Sequence, residues 1–231
     1  MGEAESGRKP KARRTSGRSR RKAPSPPPIA ECRGVASFDT NEILVLVRAP
    51  VEPVAAAFRD LRGLATWVPE VQGQTVTVSD PCYLVYRLAG HPWTIIDRYG
   101  ATVGYYPEPG DAKALSAALS TAAIYYGNSD TASAIGYELF EGGRRLERFE
   151  TELGEGVEFE SVLRRVDPPE DGDGVYAFVD AFLRAQDAFV PGWSVYFGGW
   201  CHKPGQQVRL DFDPVEADGR RVVERLDFLG A

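Results

Sequence analysis

The sequence is poor in the residues that most often carry reactions. Its 231 residues include two histidines, three cysteines and one methionine. The two imidazoles, His91 and His202, lie far apart along the chain. The cysteines, Cys32, Cys82 and Cys201, are odd in number and have no paired spacing, which argues against a disulfide framework. The close ligand pairs of a structural zinc site are missing for the same reason, and no metal or cofactor is expected. No glycine-rich phosphate loop follows a strand, and neither a Gly-x-Ser-x-Gly elbow nor a dinucleotide fingerprint occurs. The longest near-apolar run, Ala114–Tyr126, is 13 residues. That is too short to cross a bilayer as a helix, so no membrane span is expected.

What is present is charge, unevenly placed. Lys plus Arg number 27 against 33 Asp plus Glu, a net of −6. Residues 1–30 hold nine basic residues and two acidic ones, Glu3 and Glu5, a net of +7; the other 201 residues are therefore at −13. The leading segment has little apolar surface to bury, and Ala23-Pro24-Ser25-Pro26-Pro27-Pro28 favours extended polyproline backbone over helix. Residues 1–30 are expected to be a disordered basic Pro/Arg-rich tail. Residues 31–231 are read as a single α+β domain, with 151–156 as the place where a subdivision would fall. A basic arm can contact nucleic acid by neutralising phosphates, whereas the −13 body repels it. Prolines, not an apolar stretch, follow the basic residues, so no secretory signal is expected and the protein is read as cytoplasmic.

Periodicity supplies the elements. Ile43–Val47 is a continuous branched apolar run, the pattern of a strand buried on both faces. Pro50 and Pro53 lead into Val54–Leu61, where Val51, Val54, Ala55, Phe58 and Leu61 recur at helical spacing before Gly63. A turn at Trp67–Pro69 separates this unit from three strands, Gln74–Val78, Cys82–Leu88 and Trp93–Tyr99, the last two forming a hairpin. Pro107, Pro109 and Gly110 open a second helix with Asp111 as N-cap and an apolar stripe of Ala112, Leu115, Ala118 and Leu119. Ala122–Tyr126 follows as a short strand. Gly142-Gly143 tolerates the positive φ of a two-residue turn, so Ile135–Glu141 and Arg144–Glu150 form a hairpin. A regular register sets Leu139 opposite Leu146 and Glu138 opposite Glu147, a like-charge pair that must face water or a cation.

Val157–Val166 reads as a strand and Val175–Val190 as the most amphipathic helix. Trp193–Phe197, Gln207–Phe212 and Arg221–Phe228 finish the chain as strands, the last two joined at Asp213–Gly219. Three helices and eight to ten strands, in the order β-α-βββ-α-βββ-α-βββ, predict an α+β fold with mostly antiparallel sheet.

Chemistry has few places to sit. Cys201 as thiolate with His91 as base is the one catalytic pair the residue types allow. A small buried thiol and a loop histidine account for the same residues, and the reading leans away from an enzyme without deciding it. Aromatics are abundant, with four Trp, ten Tyr and eleven Phe. Tyr125-Tyr126 and Trp193–Trp200 put rings on both faces of a strand, and rings with a polar tip suit binding surfaces. The polar stretch Asn128-Ser129-Asp130-Thr131 adjoins the first of these. The expected binding residues are Tyr125, Tyr126, Asp130, Trp193 and Trp200.

Val47-Arg48-Ala49-Pro50-Val51-Glu52, then Val54, Phe58, Leu61 and Trp67-Val68-Pro69-Glu70-Val71, resembles the opening of the START and polyketide-cyclase superfamily. The resemblance covers residues 47–71. It implies a helix-grip fold, in which a sheet wraps a long helix and commonly encloses an apolar ligand. That family's long helix closes the domain, whereas here three strand candidates follow Val175–Val190, and no functional residue is carried over. The leading expectation is a non-enzymatic protein-interaction module with aromatic-rich strands as its contact surface. The alternatives are a carrier or enzyme for a small apolar ligand in the helix-grip manner, and nucleic-acid contact through the basic tail.

Overall fold

The computed structural model describes residues 33–38, 41–100, 105–129, 132, 134–152, 156–169, 173–191, 202–210 and 223–231. Residues 1–30, Trp193–Phe197 and Asp213–Gly219 lie outside them. The described chain opens with β1 (Gly34–Val35) and β2 (Glu42–Val47). In β2, Leu44 and Leu46 join one apolar cluster while Val45 and Val47 join another. The run is apolar without alternation because the sheet is covered on both faces at this strand. Each such side chain contributes roughly 1.5–3 kcal/mol on burial. Helix α1 (Val51–Arg62) buries Val51, Val54, Ala55 and Phe58, and it stops at Gly63, whose φ of 64° is left-handed. Leu61, expected on the apolar stripe, is instead exposed.

Four strands follow: β3 (Thr66–Val68), β4 (Thr75–Thr77), β5 (Cys82–Leu88) and β6 (Thr94–Arg98). Helix α2 (Pro109–Leu119) leads into the meander β7 (Ala122–Ser129), β8 (Ala134–Glu141), β9 (Arg144–Glu152) and β10 (Gly156–Ser161). Helix α3 (Asp173–Ala185), β11 (Phe189–Val190), β12 (Gln207–Arg209) and β13 (Val223–Gly230) complete the order. Nine strands form one sheet in the order β10-β9-β8-β7-β2-β6-β5-β13-β3, and every neighbouring pair is antiparallel. The fold is α+β, as the grouping of strands between single helices predicts.

Helices α1 and α2 pack on one face, over Val45, Val47, Tyr83, Val85, Ile96 and Ala123. Helix α3 lies on the other, where Val175, Val179, Phe182 and Leu183 join Tyr137, Leu139 and Phe149. Tyr137 stacks flat on Phe182, with ring centroids 3.7 Å apart and planes at 4°. Two small sheets, β1 with β11 and β4 with β12, flank the large one.

Local reading and structure differ at several elements, some through contacts between distant residues and some through caps and stops. Trp67 and Val68 are not a turn but part of the edge strand β3 on β13. The fully buried Asp227 carboxylate fastens that edge. It accepts from Trp67 Nε1 at 2.9 Å, the Glu70 N–H at 3.0 Å, and Arg225 through Nε at 2.9 Å and Nη2 at 3.1 Å. Asp111 is not the N-cap of α2; Glu108 is, and Asp111 lies one turn inside. There its carboxylate accepts the Glu108 N–H at 2.7 Å, half of a capping box, and Arg62 Nε at 2.8 Å, which ties α2 to α1. Ala118 is exposed, and buried Ser116 takes its place in the stripe.

Strand β7 continues past Tyr126 to Ser129, and β10 ends at Ser161 instead of Val166. The Ser161 hydroxyl there accepts the N–H groups of Leu163 and Arg164 at 3.1 and 3.2 Å. Val175–Val190 divides into a helix and a strand. Asp187 turns left-handed at φ 55°. Its N–H donates to Arg184 O at 3.2 Å and that of Ala188 to Leu183 O at 2.9 Å, a Schellman stop. The two closing strands do not pair with each other: β12 joins β4, while β13 enters the large sheet between β5 and β3.

The Gly142-Gly143 hairpin forms as predicted, with φ of 55° and 81°, but its register does not run on unbroken. Glu141 pairs with Arg144 and Phe140 with Arg145, after which Leu146 is an extra residue and Leu139 pairs with Glu147. The bulge moves Glu138 opposite Arg148, so the like-charge pair expected from a regular register is replaced by an opposite-charge one.

Candidate functional site

The bulge sorts the outer strands by face. Toward α3, Glu147 is almost fully buried and receives hydrogen bonds from Tyr137 Oη at 2.7 Å, Ser161 Oγ at 2.6 Å and Arg164 Nη2 at 2.7 Å. Burial alone would push this carboxyl above its usual range. The bonds from Arg164, Ser161 and Tyr137 outweigh that and hold the carboxyl below its usual range. The Arg164 guanidinium also lies 4.7 Å from the Phe178 ring centroid. This cluster is a lock between β8, β9 and the 162–166 segment.

The opposite face carries Tyr125 and Gly127 on β7, Gly136 and Glu138 on β8, and Arg148 and Glu150 on β9. Helix α2 covers the Gly142-Gly143 end of this face, where a Cβ on Gly143 would come within 2.8 Å of Ala117. Beyond its first residue, Pro109, no described residue covers the sheet, which forms a recess of about 360 Å³. The floor owes its depth to Gly127 and Gly136, which pair directly across β7 and β8. Gly136 tolerates no side chain, since a Cβ there would lie 2.8 Å from the Phe149 carbonyl oxygen. Gly127 is open apart from the Tyr125 hydroxyl, 3.3 Å from where a Cβ would sit.

The walls are charged. Arg148 Nη1 donates to Glu158 at 2.7 Å and its Nη2 to Glu150, while Arg145 Nη1 reaches Glu138 at 3.3 Å and its Nη2 Glu160 at 2.7 Å. Four glutamates thus share two arginines. Burial, then the carboxylates of Glu150, Glu138 and Glu108, push the half-buried Tyr125 phenol above its ordinary value. The recess therefore has a negative potential with an aromatic wall.

Comparison with known protein families, with curated proteins and with solved structures gives no match for this chain. The site rests on its own geometry.

Of the residues expected to bind, Tyr125 lines the recess and Tyr126, its neighbour, does not. Tyr126 is fully buried on the α3 face, so it belongs to the core and not to a contact surface. Asp130, Trp193, Trp200 and Cys201 lie outside the described residues. From the adjoining polar stretch, Asn128 is turned inward and donates through Nδ2 to Phe38 O at 3.0 Å. His91 is buried with its ring 5.8 Å from that of Phe189. Burial pushes the Cys82 thiol up to about 12, which keeps it protonated and unreactive at neutral pH. Among the described residues no group of three or more His, Cys, Asp or Glu side chains is placed to hold a metal, and no helix is long and apolar enough to cross a membrane.

Sequence reasoning passed over Gly127, Gly136, Arg148 and Glu150, and named Glu138 only as half of a like-charge pair that must face water or a cation. Their signal was the alternation Tyr137-Glu138-Leu139 against Arg148-Phe149-Glu150, which marks one charged face and one apolar one.

Proposed function

We propose that the chain is a protein-interaction module that contacts its partner through the bare face of β7–β10, with the recess taking a basic side chain of that partner. The observation that carries the reading is the Gly127–Gly136 pair, a side-chain-free floor between the Tyr125 ring and the Glu138 and Glu150 carboxylates. A guanidinium or ammonium group there gains from the ring face and from the surplus of carboxylates over arginines. The surrounding lattice of Glu and Arg makes a polar rim of the kind that encloses an interface anchor. The net −13 of residues 31–231 favours encounter with a basic partner in the same sense. The apolar-ligand alternative has less support, because under α3 the Tyr137–Phe182 stack fills space that a ligand would need.

The test is a titration of the full chain with N-acetyl-arginine-methylamide, followed by backbone amide shifts. The expected result is saturable binding on the order of millimolar, with the largest shifts at Gly127 and Gly136. Gly127→Leu fills the recess without meeting backbone and abolishes those shifts. Shifts spread over the surface, or unchanged in Gly127→Leu, would contradict the reading.

A further inference from the structure

The large sheet ends on β10, which among the described residues is paired on one side only, to β9. A strand with a free edge presents a row of N–H and C=O groups ready to pair with another chain. Its residues alternate strictly. Glu158 and Glu160 are exposed on the face of the Glu/Arg lattice, while Val157, Phe159 and Ser161 are half-buried on the α3 face, where Phe159 meets Phe178 edge-on at 5.5 Å. The described large hydrophobic residues that stand exposed are Leu61, Tyr105, Val162, Leu163, Val166 and Tyr176. Half of them fall within the five residues that follow this strand, so the apolar exposure is concentrated where the edge ends.

We propose that β10 accepts an extended segment of a partner protein as a tenth strand, and that this segment alternates basic and apolar residues. Its basic residues meet Glu158 and Glu160. Its apolar residues lie beside Val157 and Phe159 and extend toward Val162. Main-chain pairing supplies the affinity and the two alternating rows supply the selection. A second copy of this chain does not fit. In an antiparallel pair, residues directly opposite point to the same face, so two copies centred on Phe159 set Glu158 against Glu160 twice. Residues 8–22 of the chain fit poorly, since their one alternating run, Lys9-Pro10-Lys11-Ala12-Arg13, offers only Pro10, which has no N–H to pair, and the small Ala12 as apolar members, and Arg13-Arg14 and Arg20-Arg21-Lys22 are basic blocks. The inference rests on the protein-interaction reading and specifies the partner's form.

The test uses the full chain with the blocked peptide Lys-Val-Lys-Val-Lys-Val-Lys, its block isomer Lys-Lys-Lys-Lys-Val-Val-Val, and Glu-Val-Glu-Val-Glu-Val-Glu. Calorimetry gives affinity and amide hydrogen exchange gives location. The alternating basic peptide is expected to bind roughly tenfold or more tighter than its isomer, and to slow exchange in residues 156–161. In Glu158→Lys/Glu160→Lys the preference passes to the glutamate peptide. Both side chains are about two-thirds exposed, at 67% and 65%, but they pair with Arg148 and Arg145, so the variant is used only once its circular dichroism and melting match the parent's. Glu158→Gln/Glu160→Gln weakens the basic peptide without creating the reversed preference. Equal binding of the two isomers, or no binding of the alternating peptide, overturns the proposal. Protection confined to residues around Gly127 and Gly136 also overturns it, while leaving the recess reading intact.

Discussion

Strands β2, β6 and β5 are covered on both sides, whereas β8, β9 and β10 are covered mainly on the α3 side. In the centre, successive residues such as Val45 and Leu46, Leu84 and Val85, or Ile95 and Ile96 go to opposite apolar clusters, and all are nearly inaccessible. In the wing, Tyr137, Leu139 and Phe149 go inward while Glu138, Arg148 and Glu150 stay at the outer face. One sheet therefore holds two kinds of strand. The centre has no side chains left over for recognition, and the wing has a whole face of them, which is why the candidate site and the free edge both fall there.

Three substitutions test this contrast. Phe58→Ala should have the largest effect. Its ring is fully buried against Tyr83 at 4.9 Å, edge to face, and its removal opens a cavity between α1 and the centre. A loss of ~3–5 kcal/mol is expected in urea unfolding, with the recess titration unchanged under native conditions. A loss below ~1 kcal/mol would mean that the centre is not close-packed.

Arg164→Ala should follow, at ~2–3 kcal/mol at pH 7, since the guanidinium keeps a third of its side chain in water while Glu147 keeps almost none. The sign with pH is defined. Glu147 has a lowered folded value, so its contribution is present above the unfolded carboxylate value near ~4.3 and is lost as pH falls through the folded one. The difference in melting temperature between variant and parent should therefore be large at pH 7 and shrink toward pH 3. A pH-independent difference would assign the effect to lost packing on Phe178.

Asp97→Asn is the smallest change and acts in the opposite direction. Asp97 on β6 and Glu42 on β2 are buried carboxyls in the centre. Burial first, then the Glu42 carboxylate, raises Asp97 well above the ordinary value. A raised carboxyl loses stability as pH climbs from the unfolded value near ~3.9 toward the folded one. The amide should thus gain about 1 kcal/mol at neutral pH and nothing at pH 3, as read by thermal melts. A destabilised variant at pH 7 would show that the carboxylate has a role at this position.

Much of the fold was legible because its signals are local. The apolar run of β2, the helical spacing of α1 with Gly63 behind it, and Gly142-Gly143 each name an element through a period or a permitted φ. The candidate site was legible only in part. Tyr125 and Tyr126 look alike in the sequence, and only strand position tells which ring lines a recess and which is core. Water or a cation was the remedy expected for the Glu138–Glu147 clash of a regular register; the bulge at Leu146 was not legible, because it goes with burial of Glu147 against Tyr137 and Arg164. The boundary of α3 was missed because Phe189 and Val190 continue its apolar stripe, and their strand character comes from β1, more than 150 residues earlier.

By itself the amino-acid order determined the stop at Gly63 and the turn at Gly142-Gly143, which stretches alternate and which must be covered twice, since these follow from backbone sterics and side-chain period over a few residues. The tertiary structure decided which strands are neighbours, which register they take and which polar groups are satisfied in the interior. Those choices depend on partners such as Asp227 and Trp67, 160 positions apart, whose meeting lowers the free energy only after the chain between them has folded.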